Sequence, residues 1–600
     1  MFGCASAIGT KKVGTAKVYR QVNTNALLED QYSALSQNVL YRHDLKEQFK
    51  KDPQKVLKYL HQKTIEDNRR DLLFALAELS YYTAEYILKG RSDVNEQSAQ
   101  KYYLGAAIYA YFYLFDKSRT DRLDPYNRYF RWACDFYNIA LAKALTKQEG
   151  RLEIEDGVYE LPIGKITLTV QRQRFPWELN QFEKIIAADQ LLVYGLSVRN
   201  RDAGMGVPFI AVEKRSERIP VKRSLPGTVF LRIEGGVRGT EATIFKGRLE
   251  LYSAFDDIKV QVGSKRIPLE RDLSAQLAYT LEQPLLWDIG IAEFLTGKER
   301  IQSGVYPGNP YSPGKVPIVF VHGTVSNPFK WAEMMNTLRS DPVIRRHFHF
   351  WFYIYDSGKP IIYSALHLRE TLTRILSDLD PEGKDLALQR MVVIGHSQGG
   401  LLTKITAVDT GERLLKRLTG KGLNELEISV EEQETIRNYM IFEPLPFVRR
   451  VVFVATPHRG SFLAKEWIRG LVRKLVSFPQ KIVERGFKLA QAVATLKLPE
   501  EFSSIETLTS IDSMSPRNPA LLGLAEIPLG SRVKGHSIIA VKDDNDPSQG
   551  NDGVVEYQSA HVDYVESEFI VRSGHSCQGH PLVIEEVRRI LLKHLKTDAR

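Results

Sequence analysis

The sequence predicts an α/β class for residues 315–600, a mostly parallel sheet with helices on both faces, preceded by a helical module and a small antiparallel β domain. Three observations predict it. Short apolar runs alternate with helical stretches from Val316 onward, as a parallel sheet with crossover helices requires. Upstream, apolar residues recur at helical spacing over 23–147 and then alternate with polar ones over 149–268. Finally, 600 residues with 43% hydrophobic and 26% charged side chains exceed what one core holds, so several domains are expected.

Residues 1–20 read as a tether. Met1-Phe2-Gly3-Cys4-Ala5-Ser6 resembles the end of a bacterial lipoprotein signal, in which a small residue precedes the cysteine that is lipidated, although the basic and apolar regions that should come first are missing. Two readings follow. Either the true start lies upstream and Cys4 carries the lipid, with Ala5 directing the protein to an outer membrane, or Gly-Cys is a coincidence in a cytoplasmic chain. The small, polar stretch to Tyr19 favours the first.

Over 21–148, Leu72–Leu79, Leu104–Tyr109 and Tyr129–Cys134 each set small residues among large apolar ones, about 30 residues apart. The spacing fits helical hairpin repeats and fits an irregular bundle equally well; a protein partner is expected for the first. Tyr103, Tyr109, Tyr113 and Phe115 read as core. Over 149–268 the period is two, in Ile166–Val170, Thr228–Ile233, Arg248–Tyr252 and Ile258–Val262, with a basic run from Lys214 to Arg223 read as a solvated edge. Residues 269–314 read as a helical connector ending in a Gly/Pro-rich linker from Gly304 to Gly314. From there six strands are predicted, at Val316–Val321, Phe348–Tyr355, Met391–Ile394, Val451–Ala455, Ser537–Lys542 and Glu568–Arg572.

The stretch that organises this last region is Met391-Val392-Val393-Ile394-Gly395-His396-Ser397-Gln398-Gly399-Gly400. A buried strand runs into a tight turn and then a helix, with small residues two before and two after a serine, Gly395 and Gly399. Such a turn pushes the Ser397 hydroxyl outward, so Ser397 is the candidate nucleophile. Gly535-His536-Ser537 and Gly574-His575-Ser576 repeat its opening but lack the second glycine, with Ile539 and Gln578 in its place.

With these residues in place, Val316 to the C-terminus resembles an α/β-hydrolase of the bacterial lipase and esterase type. The resemblance implies a triad in the chain order serine, acid, histidine. The acid it implies is Asp552, in Asn-Asp-Gly-Val-Val before Ser559-Ala560; Asp543, Asp544 and Asp546 are its competitors. The base it implies is His575, close behind the last strand, with His580 as the competitor, read instead as a helix cap beside Pro581. Two backbone amides are implied as oxyanion donors: Gln398, after the nucleophile, and Thr324, in the His322-Gly323-Thr324 loop. His322 and His396 are read as structural. Thr456–Ser461 also looks lipase-like, without an assignable chemistry. The insertion 462–529 interleaves Lys465, Arg469, Arg473 and Lys474 with Trp467, Ile468, Leu471 and Val472, a basic amphipathic pattern that suits either a lipid-facing lid or a plain cap.

Composition narrows the rest. The net charge of +10 favours anionic surfaces such as phospholipid. With no zinc-finger spacing, no Walker loop and no RNA-binding aromatic signature in the sequence, no nucleic-acid partner and no cofactor is expected, and no metal site. Three cysteines cannot form a disulfide framework. The expected activity is hydrolysis of carboxylic esters or lipids through an acyl-enzyme. The alternatives are an acyltransferase or thioesterase of the same fold, and a surface-tethered binding protein whose hydrolase region is vestigial.

Overall fold

The computed structural model describes residues 8–89, 93–119, 123–214, 224–237, 244–256, 258–282, 303–308, 311–324, 326–462, 514–516, 518–542 and 546–597. Cys4, most of the run Lys214–Arg223, most of the helical connector, Asp543, Asp544 and most of the insertion 462–529 lie outside the described residues. The chain forms two compact units.

The first unit comprises the described residues up to 193, 201–214 and 224–276. Its main helices are α1 (Arg70–Leu88), α2 (Asp93–Phe115) and α3 (Arg128–Leu145). α1 is buried without a break from Leu72 to Tyr81, which explains why its sequence is apolar all round and not along one stripe. That burial includes Glu78, whose carboxylate accepts from the Ser33 and Ser36 hydroxyls, both at 2.5 Å, and from the amides of Ser33 and Ala26 at 2.9 and 3.1 Å. The strands are β1 (Gly157–Glu160), β2 (Lys165–Arg174), β3 (Phe182–Ala187), β4 (Val207–Glu213), β5 (Ser224–Ile233) and β6 (Ile244–Ser253), in the order β1-β2-β6-β5-β4-β3. A separate hairpin follows, β7 (Lys259–Val262) with β8 (Lys265–Pro268).

Two features of this unit depart from the sequence reading. The sheet is mixed, because β2 runs parallel to β6 while the other pairs are antiparallel. Alternation reveals a strand's two faces but not its direction, and β2 and β6 are brought together only by the intervening β3, β4 and β5. The change of period near 148 also falls inside one hydrophobic cluster, which takes in Phe136, Tyr137 and Ala140 of α3 together with Phe230 and Leu231 of β5. The Tyr137 hydroxyl locks the two layers by donating to the Leu231 carbonyl and accepting from the Leu231 amide, both at 2.7 Å.

The second unit comprises 194–200 and the described residues from 277 onward. Its seven-stranded sheet consists of β9 (Gly304–Pro307), β10 (Val316–Val321), β11 (Phe348–Ile354), β12 (Met391–His396), β13 (Val448–Val454), β14 (Lys534–Val541) and β15 (Ser567–Arg572), in the order β9-β11-β10-β12-β13-β14-β15. All neighbours are parallel except β9, an antiparallel edge. Gly304–Pro307 had the composition of a linker; at an edge Pro307 needs no ladder partner on its outer side. Pro317 is tolerated in the central β10 for a related reason: it faces only His349 of β11, and pairing with β12 begins one residue later, at Ile318.

Side chains alternate between two cores. Val319, Val321 and Val393 point into one, with Leu368 and Leu372 of α5 (Ile361–Leu379), Leu401 and Leu402 of α6 (Gln398–Ile405), and Leu521 of α7 (Pro519–Glu526). Ile318, Phe320, Val392 and Ile394 point into the other, with Met334 and Leu338 of α4 (Ala332–Ser340) and Val583, Val587 and Leu591 of α8 (Pro581–Thr597). Burial on both faces accounts for strands that read as continuous apolar runs.

Candidate active site

Ser397 sits between β12 and α6 with φ 54° and ψ −126°, a conformation that costs a non-glycine residue on the order of 1–3 kcal/mol. The surrounding hydrogen bonds hold it there: its amide donates to Val454 O of β13 at 2.9 Å, and its carbonyl accepts from the Gly400 amide at 2.9 Å. Three glycines permit the approach. A Cβ on Gly395 would strike the Gly399 carbonyl, one on Gly399 would strike the Val321 carbonyl, and one on Gly400 would strike the Thr456 side chain. Gly400 was not singled out by the pentapeptide, since its constraint comes from a loop 56 positions away in the sequence.

The structure brings Ser397, His575 and Asp552 into one row. Ser397 Oγ is 2.8 Å from His575 Nε2, and His575 Nδ1 is 2.7 Å from Asp552 Oδ2. A carboxylate can only accept, so Nδ1 carries the proton toward Asp552 and Nε2 is left to accept from the serine hydroxyl. Asp552 is 1% exposed. Its other oxygen accepts from the amides of Val554 and Val555 at 2.8 and 2.7 Å, which explains the Asn-Asp-Gly-Val-Val turn: two following amides aim back at the carboxylate and fix it. Asp546 instead caps a short helical turn by accepting from the Ser548 amide at 3.0 Å. His580 Nδ1 accepts from the Leu582 amide at 3.2 Å in the first turn of α8.

His575 is held from behind by His396. Its Nε2 lies 2.8 Å from the His575 carbonyl, which can only accept, so Nε2 carries the proton. Burial, reinforced by the neighbouring His575, pushes the His396 pKa down to about 3 and keeps the ring neutral. His322 is likewise pushed to about 4 by burial. Its ring stacks on Tyr355 at 4.4 Å, and the Tyr355 hydroxyl donates to the His322 carbonyl at 2.8 Å, which fixes the loop after β10.

That loop delivers Thr324. Among the described residues neither the Thr324 amide nor the Gln398 amide is engaged, and the Gln398 amide opens α6, where the helix dipole adds positive potential. The Thr324 hydroxyl donates to the Gln398 side-chain carbonyl, tying together the two residues that carry these amides. Thr456–Ser461 acquires a role from the structure. Ser461 Oγ donates to Val554 O at 2.6 Å and Ser559 Oγ to Gly460 O at 2.6 Å, so the loop braces the turn that carries Asp552. Sequence reasoning could not find this, because the bonds go to backbone atoms some 100 positions on.

A serine hydroxyl hydrogen-bonded to an imidazole, the imidazole fixed by a buried carboxylate and two free amides nearby can together transfer an acyl group: deprotonate the hydroxyl as it attacks, hold the oxyanion, and return the proton to the leaving group. Among the described residues no cluster of metal-ligating side chains is present.

No family model and no curated protein matches the chain. Solved structures to which it is similar include the mature Bacillus licheniformis lipase BlEst2, at 16% identity over 48% of this chain and 97% of that one, with a TM-score of 0.28. A lipase-esterase related protein from Clostridium acetobutylicum matches at 15% identity over 49% and 99%, with a TM-score of 0.24. The mouse α/β hydrolase domain-containing protein 10 matches at 12% identity over 49% and 93%, also at 0.24.

Proposed function

We propose that the protein is a serine hydrolase of α/β-hydrolase type that cleaves carboxylic esters through an acyl-enzyme on Ser397. The observation that carries the reading is the unbroken row from Ser397 Oγ through His575 to the buried Asp552. In the first step His575 Nε2 takes the hydroxyl proton while Oγ bonds to the ester carbonyl carbon, and the amides of Thr324 and Gln398 receive the negative oxygen. The imidazolium, stabilised by Asp552, then protonates the departing alkoxide. Water, activated by the same nitrogen, releases the acid and restores the serine. The substrate class is an ester or lipid, and Cys4 as a lipid anchor at the outer membrane belongs to the same proposal.

A fluorophosphonate label with peptide mapping tests the mechanism, together with p-nitrophenyl esters of graded chain length. The label is expected on Ser397 and absent from Ser397→Ala. Labelling at another serine, or none, overturns the mechanism.

A further inference from the structure

The first unit carries a basic cleft of about 360 Å³ that the hydrolase reading does not use. Four cationic side chains line it, Arg174 at the end of β2, Arg232 on β5, Arg248 on β6 and Lys259 on β7, against a single carboxylate, Glu250. Arg232 and Arg248 are directly opposed in the β5–β6 register, an arrangement of like charges that a sheet ordinarily avoids. Glu250 hydrogen-bonds only one of them and pairs with the other at 3.8 Å. Its oxygens accept from Arg232 Nε at 2.6 Å, from Arg232 Nη2 at 3.0 Å and from the Tyr252 hydroxyl at 2.8 Å, and Arg232 completes its fork on the Gln261 carbonyl at 3.0 Å. Arg248 approaches Glu250 and Glu234 no closer than 3.8 and 3.7 Å, and its Nε is buried without a hydrogen-bond partner among the described residues. Arg174 and Lys259 have no ion-pair partner among the described residues.

We propose that this cleft binds a phosphate group, borne by a soluble phosphate or by the headgroup of an anionic lipid. Three cations, two without an ion pair among the described residues and Arg248 with only long ones, reach one cleft from three different strands. One arginine fork would saturate a planar carboxylate, whereas a phosphate offers several oxygens in a tetrahedral array and charge enough for two guanidinium groups and an ammonium. Glu250 is the floor that holds Arg232 in place.

The test uses the full-length protein, with inorganic pyrophosphate in a calorimetric titration and vesicles of phosphatidylglycerol or phosphatidylcholine in co-sedimentation. Wild type binds pyrophosphate, phosphatidylglycerol vesicles or both, and does not bind phosphatidylcholine. Pyrophosphate binding assigns a soluble ligand; vesicle binding alone assigns a headgroup. Removing two charge-assisted contacts in R248Q/K259Q weakens binding by at least about tenfold. The control pair K55Q/K58Q, which lowers the net charge equally on an exposed helix face, leaves it unchanged. Should R248Q fail to fold, K259E, at an exposed position, carries the test alone with the same loss. Absence of binding to both probes, or equal loss in the control pair, overturns the site.

Discussion

Asp552 is the residue whose surroundings are least forgiving. It is buried, and both oxygens are fully occupied, one by His575 and the other by two backbone amides. An asparagine there keeps the shape, but its amide group presents a donor toward Nδ1 and turns the imidazole to the wrong tautomer. Asp552→Asn is therefore expected to fold normally and to lose about 10⁴-fold in kcat. Ester turnover beside a thermal melt checks it, and a loss smaller than about tenfold would count against Asp552 as the orienting acid. This position was legible in the sequence because the turn that satisfies it is local. His396 was legible only as a neighbour: that its Nε2 supports the carbonyl of His575 follows from a contact 179 positions apart, which no local pattern encodes.

At the scale of elements, the strand, turn and helix around Ser397 could be read because burial on both faces writes itself as an apolar run and a tight turn demands glycine. Neither Gly400 against Thr456 nor Lys404 against α7 could be read, since each depends on a partner remote in sequence. Gly400→Ala drives a Cβ into the Thr456 side chain, and overpacking of this kind costs about 1–3 kcal/mol. Thr456→Ala should restore most of that loss in the double variant, so a double-mutant cycle by denaturant unfolding is expected to show coupling; strict additivity would mean the contact is relieved some other way. Lys404 is a second element-level device. Its ammonium, pushed well below its usual pKa by burial and by Arg459, donates to the Leu524 carbonyl, to the Ala525 carbonyl at 3.2 Å and to the Tyr564 hydroxyl, closing the last turn of α7. Lys404→Met keeps the length but removes a donor from both carbonyls, leaving Leu524 only the Ile527 amide at 3.2 Å, and is expected to lower stability by about 1–3 kcal/mol while ester turnover per folded molecule is kept. An unchanged unfolding midpoint would show that the carbonyls find other partners.

At the scale of the second unit, the two-faced sheet was legible from alternation, and the edge strand β9 was not, because at an edge the ladder constrains composition weakly. The same double burial that makes the sheet readable also encloses histidines, and this sets how the unit responds to acid. Burial pushes His322 and His349 down to about 4, and His396 and His536 down to about 3. In the unfolded chain all four take up a proton near 6.5, whereas the folded unit resists until about 4 or 3. The unfolded state therefore binds more protons throughout that window. The stability these rings contribute is complete above about 6.5 and is lost as pH falls toward 4, each ring adding about 1.4 kcal/mol per pH unit at full slope. His561 works in the opposite sense, since its bond to Glu568 raises its pKa, but it is one group against these four and His458, which burial also holds well below its usual value. Glu566, where hydrogen bonds from Lys593 and Arg450 overcome burial and hold the carboxyl at about 2, adds its own loss only at lower pH, below about 4.5. Between 6.5 and 5 the carboxylates of the second unit contribute little, whereas the first unit holds Glu270, which burial raises to about 7, so a probe confined to the second unit isolates the histidines. Denaturant midpoints for the full-length protein at pH 7.5, 6.5, 5.5 and 5.0, followed by tryptophan fluorescence in a variant that keeps only Trp331 and Trp351 of the six tryptophans, should fall steadily across the last three values. A midpoint that stays level from 6.5 to 5.0 would mean that the buried rings gain protons in the folded unit as readily as in the unfolded chain, and that burial does not hold them neutral.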